Sequence, residues 1–444
     1  MLAVLLLMLQ LTGCTSFVGV EGLLSPPQLQ GDQKEIYDAL QKSISGEIQL
    51  LYPRKGEYKS AIIMLNIDEE ESSEAIAFYK YTGTQSGSSV GMSIRLNVLD
   101  RRNDKWISVY DMGVEADEVE KVQLLTVNEQ IYLTVGYNRT AVSEKLLEIY
   151  RFENNILSIR EEFSALNYEV CDLDEDGSDE IMRIVAVAQL DEDGKTVQMY
   201  PESELVQVGE DGFTVSGSVK MYPLVTDYTA IHVGTLADGT AAIFLDGTVG
   251  SQLITEVLIC TKSGKLKHLL YQGTEESMSQ VAITQRPSGI YTTDVENDGS
   301  YEIPRILPAP GYEDKEKYEQ LYFTLWYNYN ATGSQRRFLS YVDYSLGYVF
   351  RMPSNWEERV TAERSAVDNE ITFYEYDRLT GERGAAILSL RVMSRSDYLS
   401  QDVSGKYELL MTNGQLVFLY YGHNSMSKLS MDKVVAKDSL YLLN

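Results

Sequence analysis

The chain has 444 residues, 44% of them apolar, and carries 38 basic against 66 acidic side chains for a net charge of −28. Such a length exceeds one ordinary hydrophobic core and predicts two or three domains. So acidic a surface repels nucleic acid and gathers cations, which excludes a DNA- or RNA-binding role.

Residues 2–11 are almost wholly apolar, as long as a signal-peptide core and too short to span a bilayer. Leu11-Thr12-Gly13-Cys14 follows and resembles the bacterial lipobox. That resemblance implies a signal peptide over 1–14, acylation of Cys14, and a chain anchored through lipid to the extracytoplasmic face of the cell membrane. No Lys or Arg precedes the apolar run, and no later stretch has eighteen uncharged apolar residues. Cys171 and Cys260 sit in strand-like runs and are expected to be lone thiols. His232, His268 and His423 are scattered, which argues against zinc.

Residues 15–30, with Gly22, Ser25, Pro26 and Pro27, are expected to form a tether. A short helix is expected over 31–46, with Asp32 as N-cap, Glu35 three residues on, Ile36, Leu40 and Ile44 on one face, and Gly46 ending it. From Glu47 to about Pro310 short β-runs alternate with turns and no helical period intervenes. Met92, Ile94, Leu96 and Val98 alternate with polar residues as in a half-buried strand, and Trp106–Tyr110 returns after a turn.

The most informative stretch is Asp172-Leu-Asp-Glu-Asp-Gly-Ser-Asp-Glu180. Oxygen-bearing side chains stand at positions 1, 3, 5 and 9 with glycine at position 6, a spacing that wraps one hard cation such as Ca²⁺. The expected ligands are the side chains of Asp172, Asp174, Asp176 and Glu180 with the carbonyl of Ser178. Position 12, the bidentate glutamate of an EF-hand, is Arg183, and the following run is strand-like, so an EF-hand is excluded. A second loop repeats the register with Asp294, Glu296, Asp298, the carbonyl of Ser300, and Glu302. An earlier copy has Asn66, Asp68, Glu70 and Glu74, but Glu71 takes the glycine position, and no tight site is expected there.

These loops belong to a weak repeat of apolar strand, acidic turn and apolar strand, beginning near residues 62, 122, 172, 233 and 294. The repeat resembles the FG-GAP or VCBS family of β-propellers, which includes the integrin α-subunit head. The resemblance implies a propeller of five or more blades over 47–345 and calcium in a structural role. The elements that give FG-GAP its name are absent. Further on, Gly347-Tyr-Val-Phe-Arg-Met-Pro353-Ser-Asn-Trp356 resembles the opening of PsbP-type domains. It implies a small α+β domain over 346–444, with a turn at Thr380-Gly381, a hairpin at Asn413-Gly414 and a closing helix from Met426 to Leu443.

No Gly-x-Ser-x-Gly elbow, His-Glu-x-x-His or phosphate-cradling loop occurs, and Asp191-Glu-Asp-Gly194 has the form of a hairpin turn. The expected function is therefore a surface-anchored, calcium-stabilised binding or scaffold lipoprotein with a protein or glycan ligand and no catalytic residues. The alternative is a hydrolase or lyase of polysaccharide or cell wall that uses propeller carboxylates.

Overall fold

The computed structural model describes residues 31–443 except 69, 83–93, 192, 210–211, 262, 402, 404 and 424–425. The expected signal peptide, Cys14, the tether and Met92 lie outside the described residues. The protein is mainly β, with 56% strand, 9% helix and many antiparallel sheets. Among the described residues no helix is long and apolar enough to cross a membrane.

The chain divides into two compact units. One holds the described residues up to 123 together with 132–140 and 148–160; the other holds 124–131, 141–147 and everything from 161 onward. In the first unit, Ile48–Leu51, Glu74–Tyr81, Ile94–Arg102 and Lys105–Val114 form a sheet in that order, and Ile62–Leu65 also pairs with Glu74–Tyr81. Asn103 and Asp104 turn the third strand into the fourth with positive φ, which small polar side chains tolerate best. The N-terminal helix runs Asp32–Ser43 and packs Ile36 and Leu40 against Ala75, Ala77, Tyr79, Leu99 and Trp106. Asp32 is not its cap. Gly31 holds the N-cap position at φ 56° without a side-chain bond, and Asp32 and Glu35 lie inside the first turn, where the helix dipole favours acids. Next in the chain, Glu118–Val127, Gln130–Asn138, Lys145–Glu153 and Ile156–Ala165 make a four-strand sheet in chain order.

Four sheets belong to the second unit. Asn167–Cys171, Glu180–Leu190, Thr196–Gly209 and Gly212–Lys220 run in chain order, as do Asp227–Thr235, Ala241–Val249, Gln252–Cys260 and Leu266–His268. A third holds Ile303–Pro308, Tyr322–Asn330, Gly333–Asp343, Tyr348–Met352 and Leu440–Leu442; the last holds Val360–Arg364, Glu370–Asp377, Glu382–Ser394, Leu416–Gly422 and Glu408–Asn413. One helix, Glu275–Ala282, interrupts the region expected to have none. Thr274 caps it through the Ser277 N–H, and only Ser277 and Val281 are buried, too few for an apolar period to show.

The C-terminal expectations need two corrections. No α+β domain stands apart after residue 345, because Tyr348–Met352 pairs with Gly333–Asp343 across the proposed boundary. Ala309, Phe323 and Tyr341 share one core with Phe350, Trp356, Phe373 and Phe418. Residues 426–443 do not form a closing helix either. Lys433–Asp438 is a six-residue helix, and Leu440–Leu442 then pairs with Tyr348–Phe350, so backbone bonding to an open strand edge outweighs helix continuation.

Two fully buried polar networks brace the sheet of Asp227–Thr235 to Leu266–His268, which Arg286–Pro287 joins as a fifth strand beside Gln252–Cys260. The Arg286 guanidinium donates to Asp246 Oδ1 at 2.7 Å, to Thr255 Oγ1 and to the Ile290 carbonyl, while Thr292 N–H donates to Asp246 Oδ2. Glu256 accepts from Tyr222 N–H, from Tyr228 Oη–H and from His268 Nε2 at 2.8 Å. His268 Nδ1 accepts the N–H groups of Leu270 and Tyr271, which assigns the ring proton to Nε2. With every charge bonded, both networks hold the fold together.

Candidate metal centre

Strands Asn167–Cys171 and Glu180–Leu190 are antiparallel, and the pair Cys171↔Glu180 closes the loop between them. Glu175 and Gly177 reverse the chain at φ 61° and 90°, the latter a conformation that favours glycine. Asp172 then folds back on the loop, with Oδ1 accepting Asp176 N–H at 3.1 Å and Oδ2 accepting Gly177 N–H at 3.0 Å. Asp176 Oδ1 accepts Ser178 N–H at 2.8 Å, and Glu180 Oε2 reaches back to Leu173 N–H at 2.9 Å. The result places ligand oxygens of Asp172, Asp174 and Asp176 all within 4.8 Å of one another.

Asp174 is the distinctive member. Its Oδ2 lies 3.3 Å from Gln207 Nε2, but its Oδ1 is buried with no hydrogen-bond partner. Burial and then the charge of Asp176 push its carboxyl above the usual carboxylate range. Glu180 is 2% exposed, and burial pushes it up to about 7 against the lowering effect of the Leu173 N–H. Three close-set carboxylates, one of them with a buried oxygen left unsatisfied, suit a hard divalent cation, which would occupy that oxygen. Of the five residues expected as ligands, the fold brings together Asp172, Asp174 and Asp176. Ser178 gives its N–H to the loop, and Glu180 lies inward with Gln207 Nε2 3.5 Å from Oε1.

Two positioning residues escaped the sequence reading. Asp179 locks the loop to Thr126, exchanging N–H for carbonyl and carboxylate at 2.7 Å each. Gln207 arrives from the next strand, Thr196–Gly209, to steer Asp174. Neither has a signal in the local spacing. Arg183 pairs with Glu204 at 2.6 Å and lies 4.5 Å from the Phe163 ring, which agrees with the exclusion of an EF-hand.

The loop at 294–302 repeats these bonds. Asp294 accepts from Asp298 and Gly299 N–H at 3.0 and 2.8 Å, Asp298 accepts from Ser300 N–H at 2.9 Å, and Glu302 accepts from Val295 N–H at 3.0 Å. Glu302 is wholly buried, its Oε1 has no partner, and burial pushes it up to about 7. Position 3 decides the difference. Both Glu296 oxygens are held by arginines, Oε2 by Arg337 at 2.7 Å and Oε1 by Arg351 at 2.9 Å. Among the described residues only Asp172, Asp174 and Asp176 gather closely enough to hold an ion, so Asp294, Glu296 and Asp298 are not brought together as expected. In the loop from Asn66 the closing bond recurs, Ile67 N–H to Glu74 at 2.9 Å, and the Asn66 amide donates to the Glu70 carbonyl.

No protein-family model and no curated relative matches the sequence. Solved structures that it is similar to include a periplasmic gluconolactonase from Pseudomonas aeruginosa, at 13% identity and TM-score 0.29 over 76% of this chain and 86% of that one. An exotype rhamnogalacturonan lyase, YesX, matches at 10% identity and TM-score 0.31 over 88% and 92%. A Bacillus licheniformis rhamnogalacturonan lyase matches at 9% identity and TM-score 0.29 over 87% and 93%. At these scores the likenesses assign neither a fold family nor a reaction. The proteins named are a lactonase and lyases, and the expectation of a binding or scaffold protein without catalytic activity finds no support among them.

Proposed function

We propose that this chain is a calcium-dependent, carbohydrate-active hydrolase or lyase that works outside the cytoplasm, with the cation held by Asp172, Asp174 and Asp176. The observation that carries the proposal is the buried, unpartnered Asp174 Oδ1 in the middle of the only such cluster among the described residues. A bound Ca²⁺ would supply positive charge to polarise a sugar oxygen. The chain's own residues set its place: Asp179 fixes the loop, Gln207 turns Asp174 inward, and the Glu180–Leu173 bond holds the turn closed. The lipobox-like segment ending at Cys14 supports a membrane-anchored, extracytoplasmic location, where calcium is abundant. We further read the successive sheets as propeller blades. Support comes from three sheets in sequence over 118–268 in which four strands follow chain order, the third with Arg286–Pro287 added to it.

The test incubates purified protein with a panel of neutral and acidic polysaccharides and measures new reducing ends and unsaturated products. The expected result is product that disappears on chelation, returns with Ca²⁺, and is absent from Asp174→Asn. Calcium binding without product from any polysaccharide would overturn the catalytic half. Product that is indifferent to chelation would overturn the role of the cation.

A further inference from the structure

We propose a second site, an anion-binding cleft in which Arg336, Arg337 and Arg351 receive the carboxylate of an acidic saccharide. The cleft measures about 420 Å³, within the roughly 300–1,000 Å³ range of small-ligand sites. Its making is local. Strand Gly333–Asp343 breaks register between the pairs Trp326↔Phe338 and Tyr327↔Arg336, leaving Arg337 as the extra residue of a bulge. A bulge re-aims neighbouring side chains, and here both Arg336 and Arg337 line the same cleft as Arg351 from the adjacent strand.

Geometry then favours an anion. Three guanidinium groups face two carboxylates, Glu296 shared by Arg337 and Arg351, and Glu357 at 2.6 Å from Arg336. Asp298 and Glu302 also act on Arg337, so the attraction for an anion lies in the further N–H donors of the three forks and not in net charge. Glu296 is 20% exposed and pins two arginines at once, so their forks are ordered in advance, while the three arginine side chains remain 38–41% exposed. Arginine presents five N–H donors in a planar fork that matches a carboxylate. Here each is bonded to its glutamate through one nitrogen. Phe338 lies buried beneath Arg351, 4.8 Å from its guanidinium, while the half-buried Pro353 ring and the exposed Ser354 share the lining. The Pro353 ring and the Ser354 hydroxyl beside the arginines suit a sugar ring with its hydroxyls better than an acidic peptide.

The inference is independent of the cation site and is tested on chelated full-length protein, so the two can fail separately. Titration calorimetry compares a glucuronate-containing disaccharide, its glucose counterpart and a short polyglutamate. The acidic disaccharide is expected to bind, the neutral one not, and added salt to weaken binding. Arg336→Gln/Arg351→Gln is expected to reduce affinity at least tenfold with an unchanged melting temperature. Arg336→Lys keeps the charge but not the fork and should fall between, which serves if the double variant does not fold. Equal binding of the neutral disaccharide, wild-type affinity in the variants, or capture of polyglutamate alone would each overturn the proposal.

Discussion

Asp174→Asn should stabilise the calcium-free protein and abolish its response to calcium. Ligand oxygens of Asp172, Asp174 and Asp176 lie within 4.8 Å of one another. Two unit charges at that separation repel by roughly 1 kcal/mol at the dielectric of water and roughly 3–4 kcal/mol at an effective value of 20. The loop is part-exposed, so relief of two such pairs is worth about 1–2 kcal/mol, or roughly 2–4 °C in melting temperature. The amide keeps an acceptor for Gln207 and nearly the same shape. Calcium acts in the opposite sense on the wild type. At about 10 mM Ca²⁺ and a Kd on the order of 0.1–1 mM, linkage adds about 1.4–2.7 kcal/mol, a rise of roughly 2–6 °C. Scanning calorimetry of both proteins, with EDTA and with calcium, should therefore give curves that cross in order. An Asp174→Asn protein that melts below the wild type in EDTA, or that gains as much from calcium, would refute the reasoning.

Three further outcomes follow from buried charges and one close backbone approach. Burial pushes Glu74 from its ordinary 4.5 up to about 7, with Asp68 and Asp100 adding to the rise and the Ile67 N–H opposing it. The folded state thus binds more protons between those values, and stability from this group falls as pH rises from about 4.5 to about 7, by an amount on the order of 1–3 kcal/mol. Glu74→Gln should flatten that part of the urea-midpoint profile; an unchanged slope would count against it. Arg286→Met strands Asp246 in a fully buried site and should cost about 3–5 kcal/mol in chemical denaturation, with much of it recovered in Arg286→Met/Asp246→Leu. A small loss in the single variant would show that water reaches the pair. At Gly234 an added Cβ would come 2.5 Å from the Tyr301 ring and 2.8 Å from the Gly299 carbonyl. Gly234→Ala should therefore lower stability by about 1–3 kcal/mol, read as faster limited proteolysis, unless the 294–302 loop can shift.

The acidic loops were legible because their bonds are local. Asp172 reaches residues four and five positions on, and Glu180 reaches one seven back. These partners lie inside the nine-residue pattern, and the pattern specifies the turn, whereas Thr126 and Gln207 reach the loop from outside it. The strand hairpins were legible for the same reason, through alternation and turn residues such as Asn103-Asp104 and Asn413-Gly414. The C-terminal segment misled because Gly347–Trp356 describes a strand and a turn but not what lies beside them. Its aromatic residues join a core that begins before the expected boundary.

By itself, then, the sequence determined the β character, the acidic field and the shape of each loop, since these depend on neighbours within a few residues. Only the tertiary structure decided which loop has its position-3 carboxylate paired with arginines and which does not. At 294–302 the deciding charges come from Arg337 and Arg351, 41 and 55 positions away from Glu296. At 172–180 the nearest side-chain donor to Asp174 is the neutral amide of Gln207, 33 positions away, and one buried oxygen is left without a partner. Neutralisation of a charge depends on what the fold brings within about 4 Å, and spacing along the chain does not encode that.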